Sequence, residues 1–421
     1  MHIKDIHARI DFLSKWLLSY RPHDFFNNHG GVRTEIKELM PEIQMRMGET
    51  EYKRLKLDYP NVNKYKVSKA QETYSNIRIL SGYLQDLISH NPGIFRIVSP
   101  DELASNRLGE LTSNECVMEI LNENICQGWM QGYNLTGRNS VMIAYEAFMP
   151  IIDGMLSQYI KFLKQAQYVK WRKLKPSMNY ILTSVCWENT YSHQNPGFVS
   201  SLLLQNKEHV KVYFPIDANT LMINVDLIMR SEGLINVVTI SKHELPQYLQ
   251  IDEAYQAVKQ GYWQWTFGNN DPDIVLIVAG DQCLSEMFES VRLTSTLFPQ
   301  VNFKVISIID LTRFSCEFVE REPGYSDFEQ TELFCPLIPR IIFFHGYRSA
   351  IPSVLNKYVL GEKRVTMGFK NNSMRSEDYL EKMKANECSR YDILRSINKL
   401  LYEDGRVTET DRDKIDRRIA K

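Results

Sequence analysis

The sequence lacks most of the signatures that announce a function. No two of its seven cysteines (Cys116, Cys126, Cys186, Cys283, Cys316, Cys335 and Cys388) have the C-x-x-C spacing of a zinc or redox site. An odd, scattered set suits free thiols in a reducing compartment, so a cytoplasmic location is expected. No run of about 18 apolar residues exists to span a bilayer. The N-terminus, MHIKDIHARIDFLSKW, is charged throughout and has no apolar segment of the secretion-signal kind. A bias of charge is missing as well. Lys and Arg number 50 against 51 Asp and Glu, a formal net charge of -1, which gives no electrostatic case for nucleic acid or a membrane surface. Neither G-x-G-x-x-G, G-x-x-x-x-G-K-[ST], H-E-x-x-H nor G-x-S-x-G occurs, and there is no internal repeat or low-complexity segment.

What remains is an ordinary globular composition over 421 residues, enough for two or three domains. Ile6, Ile10, Leu13 and Leu17 form one apolar helix face in residues 6–20, and Pro22 and Asn27-Asn28-His29-Gly30-Gly31 end the pattern. Residues 32–67 read as an extended arm or linker. Ser68 is a candidate cap for a helix carrying Ile77, Leu80, Leu84, Leu87 and Ile88. From residue 94, short apolar runs (Phe95–Val98, Tyr180–Val185, Val210–Phe214, Leu234–Ile240) alternate with helical patterns around 113–127, 141–165, 197–206 and 218–231. A second such unit follows Trp263-Gln264-Trp265. Its strands are Ile274–Val278, Phe303–Ile309, Arg340–Phe344 and Arg364–Met367, with helices at 283–297 and 376–402 and a charged tail over 403–421. The alternation predicts an α/β protein of two doubly wound, mostly parallel sheets. The expected division is an arm over 1–67, a first α/β domain over 68–265 and a second over 266–421.

In such folds ligands sit beyond the C-terminal ends of the strands, which selects the candidates. Glu123 lies beside an apolar stripe of Val117, Ile120 and Leu121, where a carboxylate must reach solvent or find a partner. It is either a solvated helix flank or a functional acid. Ser192-His193-Gln194-Asn195-Pro196-Gly197-Phe198 follows a strand and opens a helix, with Asn189 and Tyr191 nearby; it is a binding loop or a capped turn. Ser105 and Arg107, after the first strand, suit a phosphate or carboxylate, and serve equally as a capping loop. Lys242 ends Leu234–Ile240 and is a further cation for an anionic ligand or plain surface. Tyr145 and Phe148, three apart on an expected helix, are core residues or a ring platform.

Several stretches together resemble the thiamine-diphosphate-dependent phosphoketolases. They are Ser-Pro-Asp-Glu-x-Ala-Ser-Asn-Arg-Leu (99–108), Gly-Tyr-x-Leu-Thr-Gly-Arg (132–138), Tyr-Glu-Ala-Phe (145–148), Tyr-Ser-His-Gln-x-Pro-Gly-Phe (191–198) and Asp-Ala-Asn-Thr-Leu (217–221). Trp263-x-Trp265, Ala279-Gly280-Asp281 and His345-Gly346-Tyr347 extend the likeness, which covers most of residues 6–370. The resemblance is to the later part of that family only, its pyrimidine-binding and C-terminal domains of the transketolase-like type. The Gly-Asp-Gly signature of the diphosphate-binding domain, with its downstream Asn, is absent.

The resemblance implies that Glu123 is the catalytic glutamate at the aminopyrimidine N1′, from which the cofactor is primed to lose its thiazolium C2 proton. It implies that Phe148 stacks on the pyrimidine ring and that Tyr145 faces the substrate. Ser105, Tyr145, Asn189, His193 and Lys242 match positions that hold phosphate, with Arg107 assisting, and His193 is also placed among the catalytic residues. The family is similar to transketolases and cleaves a ketose phosphate to acetyl phosphate and an aldose phosphate, a lyase reaction of carbohydrate metabolism. The expectation is therefore one subunit of a split enzyme, a dimer or heterotetramer, whose partner chain carries the diphosphate domain and Mg²⁺. The substrates are a sugar phosphate and inorganic phosphate, with no nucleic acid or membrane. Two departures stand out. Only Glu188 lies between Trp187 and Asn189, where the family has a longer polar stretch, and Asn371-Asn372-Ser373-Met374 replaces a Thr-rich motif. The alternatives are a transketolase-like two-carbon transfer and a non-catalytic partner or truncated relic.

Overall fold

The computed structural model describes residues 5–40, 55–68, 73–100, 102–169, 172, 174–205, 207–314, 324–355, 360–370, 374–376 and 378–410. Asp101, Cys316, residues 371–373 and the tail from 411 lie outside the described residues. The chain divides into two compact units, Met1–Lys53 with Val169–Lys173, and Arg54–Tyr168 with Leu174–Lys421. The first unit holds α1 (Ile6–Ser19) and α2 (Thr34–Leu39). Asp5 caps α1 by accepting from the His7 amide, and Ile6, Ile10, Leu13 and Leu17 lie on it, all exposed. No helix among the described residues is long and apolar enough to cross a membrane.

The second unit is built on two sheets. The first comprises β2 (Phe95–Ser99), β3 (Val117–Glu119), β4 (Asn139–Tyr145), β5 (Met178–Thr183), β6 (Val210–Tyr213) and β7 (Ile235–Thr239), preceded in the chain by the short β1 (Thr73–Ser75) and the helix α3 (Asn76–His90). Its order is β3-β2-β4-β5-β7-β6 and every pairing is parallel. β1 pairs antiparallel with β8 (Glu244–Pro246) in a separate ribbon. β9 (Tyr262–Phe267), β10 (Ile274–Ala279), β11 (Phe303–Ile308), β12 (Arg340–Tyr347) and β13 (Arg364–Phe369) form the second sheet in the order β13-β12-β10-β11-β9. Only the edge strand β9 runs antiparallel there. Central strands such as Met178–Thr183 and Ile274–Ala279 are buried on both faces, which is why they read as continuous apolar runs rather than alternating ones.

Two apolar clusters each span both sheets, one running from Leu57 through Ile97 and Ile181 to Leu276 and Met367, the other from Val98 and Met142 to Val275 and Phe344. Backbone crosses between them too, as the Phe214 amide donates to Ile309 O at 2.7 Å. Trp187, fully buried, packs edge-on against Phe343 and Phe369 and donates its indole N–H to His345 O at 3.1 Å. Gly280 turns the chain from β10 into the helix Asp281–Leu297 at φ 123°, and an added Cβ would stand 2.9 Å from His345 Cβ, so only glycine fits.

Several sequence expectations need correction. The helix expected over 113–127 is β3 followed by a helix, α4 (Glu123–Leu135), that Asn122 caps by accepting from the Ile125 amide. Val117 therefore belongs to a strand, and Leu121 is exposed; no stripe of Val117, Ile120 and Leu121 flanks Glu123. The helix expected over 141–165 begins as β4. Its run Val141–Ala144 is a fully buried central strand, which periodicity alone does not separate from a buried helix. Tyr145 closes that strand, so Tyr145 and Phe148 do not share a helix; Phe148 lies in the 3-10 turn Glu146–Ile152 that precedes the helix Asp153–Ala166. Ser75, not Ser68, caps the helix Asn76–His90. The expected linker over 32–67 ends early: Leu57, Val62 and Val67 are buried, and the Val67 backbone is held by the Asn219 amide. The helix expected over 376–402 is two, Tyr379–Ala385 and Arg390–Glu403, broken by Glu387 at φ 54° and restarted by the Ser389 capping box. The expected boundary after Trp265 falls inside β9, whose pairing with β11 was not legible in an aromatic-rich run flanked by turns.

Candidate active site

The polar groups of the first sheet gather where the topology predicts, beyond the C-terminal ends of β2, β4, β5 and β7. At the end of β4, Tyr145 and Phe148 stack with centroids 6.1 Å apart and planes 7° from parallel. His193, from the turn Tyr191–His193 after β5, meets both rings edge-on, at 5.9 Å from Tyr145 and 5.0 Å from Phe148. From the end of β7, Lys242 brings its Nζ to 5.2 Å from the Tyr145 centroid. Three rings and a cation thus line one mouth.

A hydrogen-bonded chain fixes that cation. Lys242 Nζ donates to Ser184 Oγ at 2.6 Å, and Ser184 Oγ donates to Asn106 Oδ1 at 2.8 Å. Ser184 stands at φ 49°, a conformation L residues adopt at a cost, and it is fully buried. The Asn189 amide is committed nearby, donating to Ser184 O and to Val185 O. On the β2 side, the buried Glu102 accepts from the Tyr145 amide at 2.6 Å and so pins the end of β4 to the Ser99–Arg107 loop. Ser105 donates to Glu102 O at 3.0 Å. Arg107, at φ 63°, reaches His243 with Nη2 3.5 Å from Nδ1. Burial, and then the neighbouring Arg107, Lys242 and Lys382 charges, push His243 below the usual histidine range.

Glu188 is the most heavily engaged carboxylate of the site. It accepts from the Val185 amide at 3.2 Å, the Lys242 amide at 3.0 Å, Gln282 Nε2 at 3.1 Å and the Ser241 hydroxyl. Burial pushes its carboxyl up to about 7, against the pull of the Ser241 hydroxyl, while Asp281 adds to the rise and Lys242 opposes it. Glu188 also borders a cavity of about 290 Å³ with Trp187, His243, Gln282, Tyr379 and Lys382. Behind the site Glu146 and His345 form a buried pair, Oε1 to Nε2 2.8 Å, and Glu146 also accepts from the Cys186 amide at 2.9 Å. Burial works against the charged imidazole, but the Glu146 carboxylate overrides it and raises His345 above its ordinary value.

Glu123 stands apart. It is the first residue of α4, half-buried, and its carboxylate has no hydrogen-bond partner among the described residues. The structure therefore brings together Tyr145, Phe148, His193, Asn189 and Lys242. It sets Ser105 and Arg107 on the adjoining loop and leaves Glu123 open at a helix N-terminus. Sequence reasoning missed Glu102, Asn106, Ser184 and His243 as parts of this network. Glu102 and Asn106 stood inside a motif already singled out, and Ser184 and His243 adjoin predicted strand ends.

Three models of one family match the chain. The D-xylulose 5-phosphate/D-fructose 6-phosphate phosphoketolase model matches residues 78–115 and 110–231, the C-terminal domain model 242–421 and the N-terminal domain model 2–56. The chain belongs to the phosphoketolase family. A probable phosphoketolase of Streptomyces coelicolor is 36% identical over 372 residues, 80% of this chain and 47% of that protein. The xylulose-5-phosphate phosphoketolase of Lactiplantibacillus pentosus is 34% identical over 384 residues, 82% of this chain and 48% of its own. The chain spans about half the length of the curated phosphoketolases it matches. Among solved structures, a Pichia stipitis transketolase in complex with sedoheptulose-7-phosphate superposes with a TM-score of 0.63 at 13% identity, covering 82% of this chain and 49% of that one. A split-gene transketolase, solved as an inactive β4 tetramer, gives 0.56 at 13% identity and is covered over 99% of its length by 79% of this chain. At such identities the likeness concerns the fold, which this phosphoketolase-family chain shares with transketolases.

Proposed function

We propose that this chain contributes the pyrimidine-activating carboxylate and the phosphate-binding wall of a thiamine-diphosphate-dependent phosphoketolase, cleaving a ketose phosphate to acetyl phosphate and an aldose phosphate. The observation that carries the reading is the cluster of Tyr145, Phe148, His193 and Lys242 at the C-terminal edge of a parallel sheet in a phosphoketolase-family chain. The residues fit the aminopyrimidine half of the cofactor. Phe148 is a half-buried ring, and Glu123 is a half-buried carboxylate with nothing bonded to it among the described residues. When bound, thiamine diphosphate supplies the nucleophilic carbon that such a cleavage requires. Glu123 would hold the proton shared with N1′. Phe148 fixes the ring plane. Lys242, steadied by Ser184, offers a cation to a phosphate, and Tyr145 and His193 offer donors beside it.

The diphosphate and its Mg²⁺ would be held by a separate chain, in a dimer or heterotetramer with the active site between subunits. The near-complete coverage of the split-gene transketolase supports this arrangement. The six described cysteines are all unpaired, which supports a reducing, cytoplasmic setting. In this reading the arm would end before Leu57, and the second α/β domain would begin with β9 rather than after Trp265. To test the reading, the chain is combined with a candidate diphosphate-binding chain and supplied with fructose 6-phosphate, phosphate, thiamine diphosphate and Mg²⁺. Acetyl phosphate should form only from the combination. Full activity from this chain alone overturns the split arrangement, and no acetyl phosphate from any combination overturns the reaction.

One observation favours a second reading. Glu188 puts a carboxylate against the Lys242 backbone, which weakens the positive potential available to free inorganic phosphate. The reaction would then be transfer of a two-carbon ketol unit to an aldose acceptor, recognised by a new ketose product and no acetyl phosphate.

A further inference from the structure

The acidic residue at position 188 looks misplaced beside an anion site, yet its surroundings give it a specific task. Its two oxygens accept from four donors drawn from three segments. Val185 N lies on the loop after β5, Ser241 Oγ and Lys242 N on the loop after β7, and Gln282 Nε2 at the start of the helix Asp281–Leu297. The backbone of Ser241 is gripped from the same helix, since its amide donates to Asp281 Oδ2 at 2.7 Å. Lys242 is thus held at two points, its amide by Glu188 and its ammonium by Ser184. Remove Glu188, and the Lys242 amide loses its acceptor, leaving the ammonium's bond to Ser184 to hold the residue.

We propose that Glu188 is a positioning residue that holds Lys242 over Tyr145, so that the cation meets an incoming phosphate group already oriented. The part of this inference that concerns phosphate rests on the function proposed above; the part that concerns Lys242 does not. Glutamine at 188 has the same shape, but its NH₂ would confront the Val185 or Lys242 amide donor to donor. Position, not merely charge, is therefore lost in Glu188→Gln.

The test is the acetylation rate of individual lysines in the full chain, read by peptide mass spectrometry after brief exposure to an acetylating reagent. In Glu188→Gln, Lys242 should react at least fivefold faster, while the buried Lys211 stays at its wild-type rate and reports that the fold is intact. An unchanged Lys242 rate in a folded Glu188→Gln protein overturns the proposal. If that variant does not fold, Gln282→Ala, which removes one donor and leaves the carboxylate in place, should raise the Lys242 rate about twofold; no rise there also overturns it. Inorganic phosphate is then titrated as the probe. It should slow Lys242 acetylation in the wild type and need roughly tenfold higher concentration to do so in Glu188→Gln. Equal protection in the two proteins overturns the orienting role. Failure of phosphate to protect wild-type Lys242 at all overturns the phosphate site and, with it, the claim that the held cation serves phosphate. The acetylation rates alone then decide whether Glu188 holds Lys242.

Discussion

Two carboxylates at the same sheet edge are treated in opposite ways. Glu123 opens α4 with no bonded partner among the described residues, half in contact with solvent. Glu188, on the β5 loop, is surrounded by donors and sits beside the buried Glu146–His345 pair. A carboxylate that must exchange a proton with a ligand has to be left unsatisfied by its own protein. One that must hold other groups still has to be saturated. The contrast divides the site into a reactive end and a built end, and each can be probed separately.

The largest effect should come from the reactive end. Glu123→Gln is expected to lower turnover of the assembled enzyme by about 10²–10⁴-fold, the usual worth of a positioned acid–base group. Its folding stability should stay within about 0.5 kcal/mol of wild type, because no described residue is bonded to it. A large loss of stability in denaturant would erase the contrast.

The built end should respond in stability. His345→Ala leaves Glu146 buried without its partner and should cost about 3–5 kcal/mol by denaturant unfolding. The pH dependence follows from the raised His345 value. A group whose folded pKa exceeds its unfolded one stabilises fully below the unfolded value, about 6.5 here, and loses that contribution as pH rises through the folded value. The cost of Glu146→Gln should accordingly be greatest below pH 6.5 and shrink above it, as unfolding midpoints across pH would record.

Lys242→Met should weaken protection by inorganic phosphate or a sugar phosphate by roughly 10–100-fold, the loss of one charge-assisted contact of about 1.5–3 kcal/mol, read by ligand-induced thermal shift. The last effect is a change of slope. The Glu188 carboxyl titrates near 7 in the folded chain against about 4.5 unfolded. Its contribution to stability is complete below pH 4.5 and gone above about 7. Glu188→Gln lacks that loss, so its stability relative to wild type should rise between pH 4.5 and 7 and be flat outside that window. A flat difference throughout would mean that Glu188 is not held in the buried network described.

Much of the scaffold was legible because buried parallel strands are written as apolar runs. Phe95–Val98 and Ile274–Val278 lie within real strands, and Tyr180–Val185 overlaps one that ends at Thr183. β4 was not, since Val141–Ala144 carries no period that marks it as strand rather than helix, and the correct placement of Tyr145 went with it. β3 is three residues long and takes its conformation from pairing with β2, which no local pattern encodes. The site residues were reached by motif, but their arrangement depends on contacts far apart in the chain. The Lys242–Ser184–Asn106 chain joins residues up to 136 positions apart in three different loops, and Glu188 finds Gln282 94 residues away. Short-range reading sees which side chains lie at strand ends and not which of them meet.

The seam between the two sheets has a consequence for descent. Trp187, fully buried, packs against Phe343 and Phe369 of the other sheet, and Glu146 pairs with His345 of that same sheet. A recombination event that separated the sheets would leave the product keeping the first one with both an uncovered indole at Trp187 and a Glu146 carboxylate deprived of His345. The two sheets are thus tied as one heritable block, and new activities in this lineage should arise by changing the loops at the strand ends rather than by exchanging one sheet for another.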